Sequence, residues 1–294
     1  MTAYTFGLIG YPLHHSLSPR IHQQFLREFN LSGNYHLYPI PEDENKGQAF
    51  VELLAKMRKG ELHGLNVTIP HKQNIVSYLD ALDGDAEILQ AVNTVYWDGK
   101  KLIGANTDVQ GFWMDLSRFL HLAEGGRALV IGAGGAARAV VYALLKGGWE
   151  VVLAARKVDQ ARDLMKNYLQ RFPGGQDSIP VFPISLETIN THQVERLGDV
   201  RLIINATPLG MAGHAQISPL PNDFSISTGT MVYDLVYNPP ETALLKWARS
   251  KGAKIANGLG MLMEQAALAF ERWTGKKPTL IPELLPILSE KDEP

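Results

Sequence analysis

Four groups of polar side chains interrupt apolar segments in the first part of the chain. They are Ser16 with Ser18, Asn66 with Thr68 and Lys72, Asn93 with Thr94, and Asn106 with Asp108. Each group lies near the end of a segment that could form a strand, which is where α/β folds bind ligands. A single group is explained by turn or cap hydrogen bonds. Together, the four groups predict one polar ligand site.

A glycine-rich turn in the second half of the chain predicts a cofactor. An apolar strand candidate at 128–131 leads into the turn, a helix candidate with small apolar residues follows it, and the turn comprises Gly132, Ala133, Gly134, Gly135 and Ala136. Glycines allow the backbone to approach a pyrophosphate, and a helix N-terminus offers it free N–H groups. This context favours a dinucleotide site over a tight turn that binds nothing.

The residues after the next strand candidate indicate which dinucleotide is bound. NAD-binding proteins place Asp or Glu there, whereas this chain has Ala155 followed by Arg156 and Lys157. Cations attract the 2′-phosphate of NADP, which a carboxylate would repel. We therefore predict that NADP is the cofactor. The alternative is that Arg156 and Lys157 are solvated surface cations that bind no phosphate. The missing acid also weighs against a methyltransferase that binds adenosylmethionine.

Lys72 and Asp108 are the candidate acid–base pair. Hydride transfer to a ketone requires a proton for the alkoxide that forms, and a lysine beside the reacting carbon can supply it. We assign the proton to Lys72 and the partner role to Asp108. A neighbouring carboxylate favours the charged amine whereas burial disfavours it, so the sequence leaves the protonation state of Lys72 open.

Composition limits the kinds of site and the partners that this protein can have. The 294 residues contain no cysteine, which excludes disulfides, thiolate metal sites and cysteine nucleophiles. His14, His15, His22 and His71 lack a recognised ligand spacing, so we predict no metal. A formal charge of −2 without long blocks of one sign indicates neither nucleic acid nor membrane as a partner. Without a signal-like or membrane-spanning apolar run, we expect a cytoplasmic protein.

The order of predicted elements indicates an α/β fold of two domains. Strand candidates alternate with helical patterns, and Asp98-Gly99 predicts a hairpin between 92–97 and 101–105. A helix should begin with Ser18 as its cap and Pro19 at its first position, and another should follow Lys72. The second half of the chain reads as a doubly wound Rossmann-type domain.

Several motifs, in order, resemble those of shikimate dehydrogenases. They are GYPLHHSLSP at 10–19, NVTIPHK at 66–72, AVNT at 91–94, NTD at 106–108, GAGGAARA at 132–139, NATPLGM at 205–211, YDLVY at 233–237 and NGLGMLMEQ at 257–265. The resemblance covers nearly the whole chain. It departs at Gln23 and Ala155, where asparagine is common in the family; Ala155 directly precedes the arginine assigned to the cofactor.

The resemblance implies reversible NADP-dependent reduction of 3-dehydroshikimate to shikimate, with Lys72 as the catalytic lysine. Ser16 and Ser18 would bind the substrate carboxylate, and the ring hydroxyls would be held or bordered by Asn66, Thr68, Asn93, Asp108, Tyr237 and Gln265. The cofactor contacts would be Gly132–Ala136, Arg156, Lys157, Leu235 and Gly258. A discontinuous substrate-binding domain would comprise 1–108 and 260–294, and an NADP-binding domain 109–259.

Two alternatives stay open. One is a quinate/shikimate dehydrogenase that uses NAD. The other is a regulatory module that binds a dinucleotide without turnover, which would predict loss of the acid–base pair. We expect a monomer or a homodimer.

Overall fold

The structure, a computed structural model, describes residues 3–120, 125–169, 181–190, 192 and 199–279. The chain forms two compact units. The first unit is discontinuous and combines Met1–Gly111 with Leu262–Pro294, whereas the second unit is the continuous stretch Phe112–Met261.

The first unit is built on a mixed six-stranded sheet. Its strands are β1 (Tyr4–Gly10), β2 (Gly33–Pro39), β3 (Gly64–Val67), β4 (Ala81–Leu82), β5 (Thr94–Trp97) and β6 (Leu102–Ala105), in the order β2-β1-β3-β5-β6-β4. Strand β1 pairs in parallel with β2 and β3, while β5 runs antiparallel to both β3 and β6. The strand β5 thus interrupts the parallel pattern.

Among the described residues, the helices that lie wholly or partly in the first unit are α1 (Ser18–Glu28), α2 (Lys46–Arg58), the short α3 (Asp85–Leu89), α4 (Asp108–Leu120) and α8 (Leu259–Thr274). Helix α4 continues into the second unit, and α8 begins there. The apolar face of α1 buries Ile21 and Phe25, as its four-residue spacing predicts. Helix α2 contributes its own buried residues Phe50, Leu54 and Met57 to the core.

The prediction that Ser18 caps α1 is wrong by one residue. The helix includes Ser18, because the N–H of Ile21 already bonds to the carbonyl of Leu17 (3.1 Å). The side chain of Ser16 instead bonds to the first residue of the helix, because its Oγ accepts the N–H of Ser18 (3.3 Å).

The predicted helix after Lys72 is only a five-residue 3-10 helix, Asn74–Tyr78. Ile75 and Val76 are β-branched, and Asn74 and Ser77 compete for backbone hydrogen bonds, so the segment has little preference for a longer helix. The predicted hairpin is confirmed: Asp98 Oδ1 accepts the N–H groups of Lys100 and Lys101 (2.7 Å each) between β5 and β6.

Helix α8 packs on the sheet of the first unit through Phe270 and Trp273. The Trp273 ring stacks on Phe6 at 4.8 Å, and its Nε1 donates to the carbonyl of Val95 (3.1 Å). A Cβ on Gly64 would lie 2.2 Å from the indole. Glycine at position 64 therefore makes room for this ring.

The second unit is a parallel six-stranded sheet. Its strands are β7 (Arg127–Ile131), β8 (Glu150–Ala155), β9 (Val181–Ser185), β10 (Val200–Asn205), β11 (Met231–Asp234) and β12 (Lys254–Asn257), in the order β12-β11-β10-β7-β8-β9. This is the strand order of a Rossmann fold and confirms the predicted doubly wound architecture. Among the described residues, the helices contained in this unit are α5 (Gly135–Lys146), α6 (Val158–Leu169) and α7 (Ala243–Ser250).

The sheet of the second unit has an apolar core. Leu129, Ile131, Val152 and Ile203 are buried on it, and α7 adds Leu244 and Leu245. None of the helices within the described residues combines the length and apolar character needed to span a membrane.

Candidate active site

Lys72 and Asp108 form a buried ion pair in the first unit. Lys72 Nζ donates to Asp108 Oδ2 at 2.6 Å, and only 13 % and 6 % of the two side chains are exposed. Lys72 follows β3, whereas Asp108 opens α4, so the fold joins residues 36 positions apart. A buried amine and carboxylate in contact can hold a proton at a defined position.

Asn93 positions the second carboxylate oxygen. Its Nδ2 donates to Asp108 Oδ1 (2.9 Å) and to Thr107 Oγ1 (2.9 Å), and it lies 3.2 Å from Gln265 Oε1. Its Oδ1 accepts the N–H of Thr107 (2.8 Å). The Asn93 amide is therefore held from both ends, and its contact with Asp108 fixes the carboxylate that faces Lys72.

The backbone around the pair is also fixed by side chains. Asn106 Oδ1 accepts the N–H of Asp108 (3.1 Å), and Asn106 Nδ2 donates to the carbonyl of Ala91 (2.9 Å). The carbonyl of Lys72 accepts the N–H of Val92 (2.7 Å). These bonds tie together the chain segments that contain Lys72, Asn93 and Asp108.

Asn66, on β3, lies beside this group. Its Nδ2 donates to the carbonyl of Asn93 (3.1 Å) and to Thr94 Oγ1 (3.3 Å), while its Oδ1 accepts the hydroxyl of Tyr35 (2.8 Å). Thr94 Oγ1 also donates to Asn93 Oδ1 (3.0 Å). Hydrogen bonds therefore connect Asn66 to Asn93, and through Asn93 to Asp108.

The other predicted substrate residues lie in different places. Ser16 is partly buried before α1, Ser18 is 6 % exposed at its first position, and Thr68 is partly buried directly after β3. Gln265, on α8, reaches the group at Asn93, and its carbonyl accepts the hydroxyl of Thr107 (3.0 Å). Tyr237 belongs to the second unit and is partly buried.

His22 and His71 are core residues. His71 Nε2 lies 2.6 Å from the carbonyl of Ile40, and His22 stacks on Tyr35 at 4.4 Å. Burial lowers the pKa of His22 to about 3, outweighing an opposing effect of the Asn66 side chain. Among the described residues, no three His, Asp or Glu side chains are grouped as a metal site would require.

The glycine turn of the second unit connects β7 to α5. Gly132 has φ of +116°, and a Cβ there would lie 3.0 Å from the carbonyl oxygen of Ala206, so a larger residue is unfavourable. Gly134 precedes the helix and has open space where a Cβ would be. Gly135 and Ala136 open α5, and Ala133 is partly buried between the two glycines. The turn thus presents accessible backbone N–H groups at a helix N-terminus, which suits a pyrophosphate.

The chain after β8 presents two cations. Ala155 is the buried last residue of that strand, and Arg156 and Lys157 are both exposed. Strand β8 lies next to β7 in the sheet, so these cations follow the strand adjacent to the glycine turn. This is where a Rossmann fold contacts the adenosine ribose and its 2′ substituent.

A buried carboxylate connects the ends of two more strands. Asp234 Oδ1 accepts from Asn205 Nδ2 (2.9 Å) and from the N–H of Val236 (3.0 Å), and Oδ2 accepts the hydroxyl of Thr242 (2.6 Å). Burial raises the pKa of Asp234 to about 6, with the three donors acting against it. This network fixes the backbone on both sides of Leu235, whose N–H bonds to the carbonyl of Asn205 (2.9 Å).

Gly258 lies against the same segment. It is buried directly after β12, its N–H points to the carbonyl of Val236 (3.3 Å), and a Cβ there would lie 2.0 Å from the carbonyl oxygen of Leu235. The close approach of these two backbones requires glycine at position 258.

Two family models match this chain. The model described as shikimate dehydrogenase substrate binding domain matches residues 8–95, and the shikimate 5′-dehydrogenase C-terminal domain matches residues 258–279. The shikimate dehydrogenase (NADP(+)) of Caldanaerobacter subterraneus subsp. tengcongensis is 38 % identical over 280 residues, which cover 94 % of this chain and 93 % of that protein. The chain belongs to the shikimate dehydrogenase family.

Another relative and two solved structures are also similar to this chain over most of its length. The shikimate dehydrogenase (NADP(+)) of Bacillus subtilis is 37 % identical over 277 residues, 94 % of this chain and 93 % of its own. The solved shikimate 5-dehydrogenase from Thermus thermophilus, in complex with NADP(H) and shikimate, is 34 % identical with a TM-score of 0.79, covering 97 % of this chain and 98 % of that one. A quinate dehydrogenase from Corynebacterium glutamicum in complex with NAD is 30 % identical, with a TM-score of 0.78 and coverage of 98 % and 97 %.

Sequence reasoning gave no role to three residues whose hydrogen bonds fix neighbouring polar groups, two in the first unit and one in the second. Thr107 lies inside a recognised motif but was given no role, although it bonds both Asn93 and Gln265. Tyr35 and Asp234 are buried polar residues in strands, and only their side-chain contacts distinguish them from ordinary core positions.

Proposed function

We propose that this protein is an NADP-dependent oxidoreductase that reversibly reduces 3-dehydroshikimate to shikimate. The observation that carries the proposal is the buried pair of Lys72 and Asp108, held by Asn93 in a chain that belongs to the shikimate dehydrogenase family. A regulatory module that lacked turnover would have no need for this arrangement.

Lys72 transfers the proton. In the reducing direction its Nζ gives a proton to the substrate oxygen, and in the oxidising direction it takes that proton back. Asp108 orients the amine and balances its charge, since its Oδ2 lies 2.6 Å away. Asn93 prevents the carboxylate from turning away by holding Oδ1.

The other candidate site residues of the first unit would bind the substrate. Ser16 and Ser18 would hold the carboxylate, and Asn66, Thr68, Asn93 and Gln265 would contact or border ring hydroxyls. Support comes from the hydrogen-bonded group itself, because Asn66, Asn93 and Gln265 belong to one network with Asp108. Tyr237 belongs to the proposed set on the family resemblance alone.

The second unit would bind NADP. When bound, the nicotinamide supplies or accepts the hydride. Gly132–Ala136 would receive the pyrophosphate, Arg156 and Lys157 the 2′-phosphate with Ala155 beside them, and Leu235 and Gly258 would also contact the cofactor. The fit rests on the open space at Gly134 and the exposure of the two cations. We accordingly assign 1–108 with 260–294 to substrate and 109–259 to the cofactor.

Absorbance of the reduced nicotinamide tests the proposal directly. Purified protein is offered shikimate or quinate with NADP or NAD, in all four combinations. We expect strong turnover with shikimate and NADP. A preference for quinate or NAD would favour the activity named for the Corynebacterium glutamicum neighbour, and absence of turnover in all four mixtures would favour a binding module.

Replacing Lys72 with Ala tests the proton role. Turnover should fall about 10²- to 10⁴-fold, the usual contribution of a general acid, while the dissociation constant for NADP changes little. Lys56→Ala is the matched control, because Lys56 is an exposed lysine on α2 of the same unit. Near-normal turnover in Lys72→Ala would remove the assignment.

The proposal includes a cytoplasmic location, where a biosynthetic dehydrogenase meets its metabolites and NADPH. Whether the protein is a monomer or a homodimer stays a prediction, which light scattering of the purified chain can test.

A further inference from the structure

Tyr35 is a buried tyrosine that the proposed mechanism does not use. It lies on β2, next to β1 in the sheet, and 9 % of its surface is exposed. Its hydroxyl donates to Asn66 Oδ1 at 2.8 Å, across 31 residues of sequence. A buried phenol with a single side-chain acceptor in a ligand site can determine how that acceptor is presented.

The bond from Tyr35 completes the hydrogen bonding that orients the Asn66 amide. Asn66 Nδ2 has two hydrogens, and its acceptors are the carbonyl of Asn93 and Thr94 Oγ1. An amide oxygen has two acceptor positions, of which Tyr35 takes one. The Asn66 side chain therefore has no donor left. Its remaining capacity is that of an acceptor on Oδ1, which the His22 ring also approaches, and an acceptor suits a hydroxyl that donates a hydrogen bond.

The surroundings of Tyr35 keep it a donor. The His22 ring stacks on it nearly parallel, at 4.4 Å and 10°. Burial raises the pKa of Tyr35 well above its usual value, and the Ser18 hydroxyl acts in the opposite direction to a smaller extent. Tyr35 therefore remains protonated at neutral pH. It also stands between Ser18 and Asn66, two residues proposed to contact different parts of the substrate.

We propose that Tyr35 is a positioning residue that fixes the Asn66 amide with its oxygen directed to a donating hydroxyl of the substrate. This inference rests on the proposed function, because it concerns how the same site recognises its ligand. Tyr35 itself acts through Asn66. Without its hydroxyl, Asn66 Oδ1 loses a donor, and the amide is held only through the bonds that Nδ2 makes to the carbonyl of Asn93 and to Thr94.

The test is the single substitution Tyr35→Phe, which removes one oxygen and keeps the ring that stacks on His22. We expect the KM for shikimate to rise about three- to tenfold, the scale of one neutral hydrogen bond. The kcat should stay within about twofold because Lys72 and Asp108 are unchanged, and the KM for NADP should not move.

Tyr38→Phe is the matched control. Tyr38 lies on the same strand and is partly buried against the apolar core beside α2. It should leave the KM for shikimate unchanged. A thermal unfolding midpoint for both variants separates a general loss of stability from a loss of substrate binding.

A double-mutant cycle with Asn66→Ala gives the sharpest result. If Tyr35 acts through Asn66, then adding Tyr35→Phe to Asn66→Ala raises the KM for shikimate no further. Independent, multiplicative effects would overturn the proposal, as would an unchanged KM in Tyr35→Phe with only a lower unfolding midpoint. A wild-type protein that does not turn over shikimate would refute the proposed function and this inference with it, whereas normal wild-type turnover with an unaffected Tyr35→Phe would refute this inference alone.

Discussion

The buried carboxylate of Asp234 makes a quantitative prediction about stability and pH. Its side chain has no exposed surface and is held by Asn205, Thr242 and the N–H of Val236. The substitution Asp234→Asn keeps the shape and removes the titration. The difference in the free energy of unfolding between the two proteins at each pH cancels the contributions of the other titrating groups.

The magnitude follows from the two pKa values of Asp234. Burial raises the pKa from 3.8 to about 6, so the folded protein binds the proton more tightly than the unfolded chain does. At about 1.4 kcal/mol per pH unit, this corresponds to about 3 kcal/mol. The stabilisation is fully present below pH 3.8 and is lost as the pH rises through about 6. About 2 kcal/mol of it falls between roughly pH 4.5 and pH 8.

Urea unfolding followed by circular dichroism measures the effect. Wild type should lose about 2 kcal/mol relative to Asp234→Asn between about pH 4.5 and pH 8. Asp98→Asn is a control of opposite sign, because the N–H groups of Lys101 and Lys100 lower the pKa of Asp98. Wild type should therefore lose stability relative to that variant as the pH falls. A constant difference for Asp234→Asn, or wild type gaining stability as the pH rises, would refute the reasoning.

Three further predictions concern packing, capping and the cofactor. Gly64→Ala should lower the free energy of unfolding by about 1–3 kcal/mol, measured with urea, because its Cβ would overlap the Trp273 ring. Thr242→Val should cost about 1–2 kcal/mol in the same assay, since Thr242 Oγ1 caps α7 by accepting the N–H of Leu245 at 3.3 Å and donates to Asp234. Arg156→Ala should raise the KM for NADP but not for NAD in the absorbance assay.

Each of these has an outcome that contradicts it. Gly64→Ala should be partly rescued in a Trp273→Ala background, and equal costs in both backgrounds would show that the ring is not the cause. Thr242→Ser keeps the hydroxyl and should be close to wild type, whereas a Thr242→Val variant as stable as wild type would show that the hydroxyl does not stabilise the protein. An unchanged ratio of the NADP and NAD constants in Arg156→Ala would exclude a role in selecting the 2′-phosphate.

The second unit could be predicted well because its signals are local. The glycine turn, the apolar runs that flank it and the alternation of strands with helices each occupy a short stretch of sequence, and together they predict the doubly wound class. The edge strand β12 was not predicted. The glycine at 132 is required by its own positive φ and by a neighbour at 3.0 Å. A single residue in the sequence is enough to indicate a requirement of this kind.

The first unit was harder to predict because its network is built from distant segments. Asn66, Asn93 and Asp108 were identified as polar residues near strand ends, but their mutual contacts depend on the antiparallel strand β5. The cap at Ser18 and the helix after Lys72 were placed wrongly because one-residue shifts and short 3-10 turns depend on surrounding packing rather than on local preference. Nothing in the local sequence marks Tyr35 as a partner of Asn66.

The discontinuous first unit determines the order in which the protein can be completed during synthesis. The part of helix α8 that follows Met261 supplies Phe270 and Trp273 to Phe6, and Gln265 to Asn93, yet it leaves the ribosome after the whole of Phe112–Met261. Domains fold as units once their residues have emerged. The continuous second unit therefore has all its residues first, and the earlier-translated segment waits for its last helix. Completion reverses the order of translation, and the apolar residues of the N-terminal part are the ones that wait longest for their final partners.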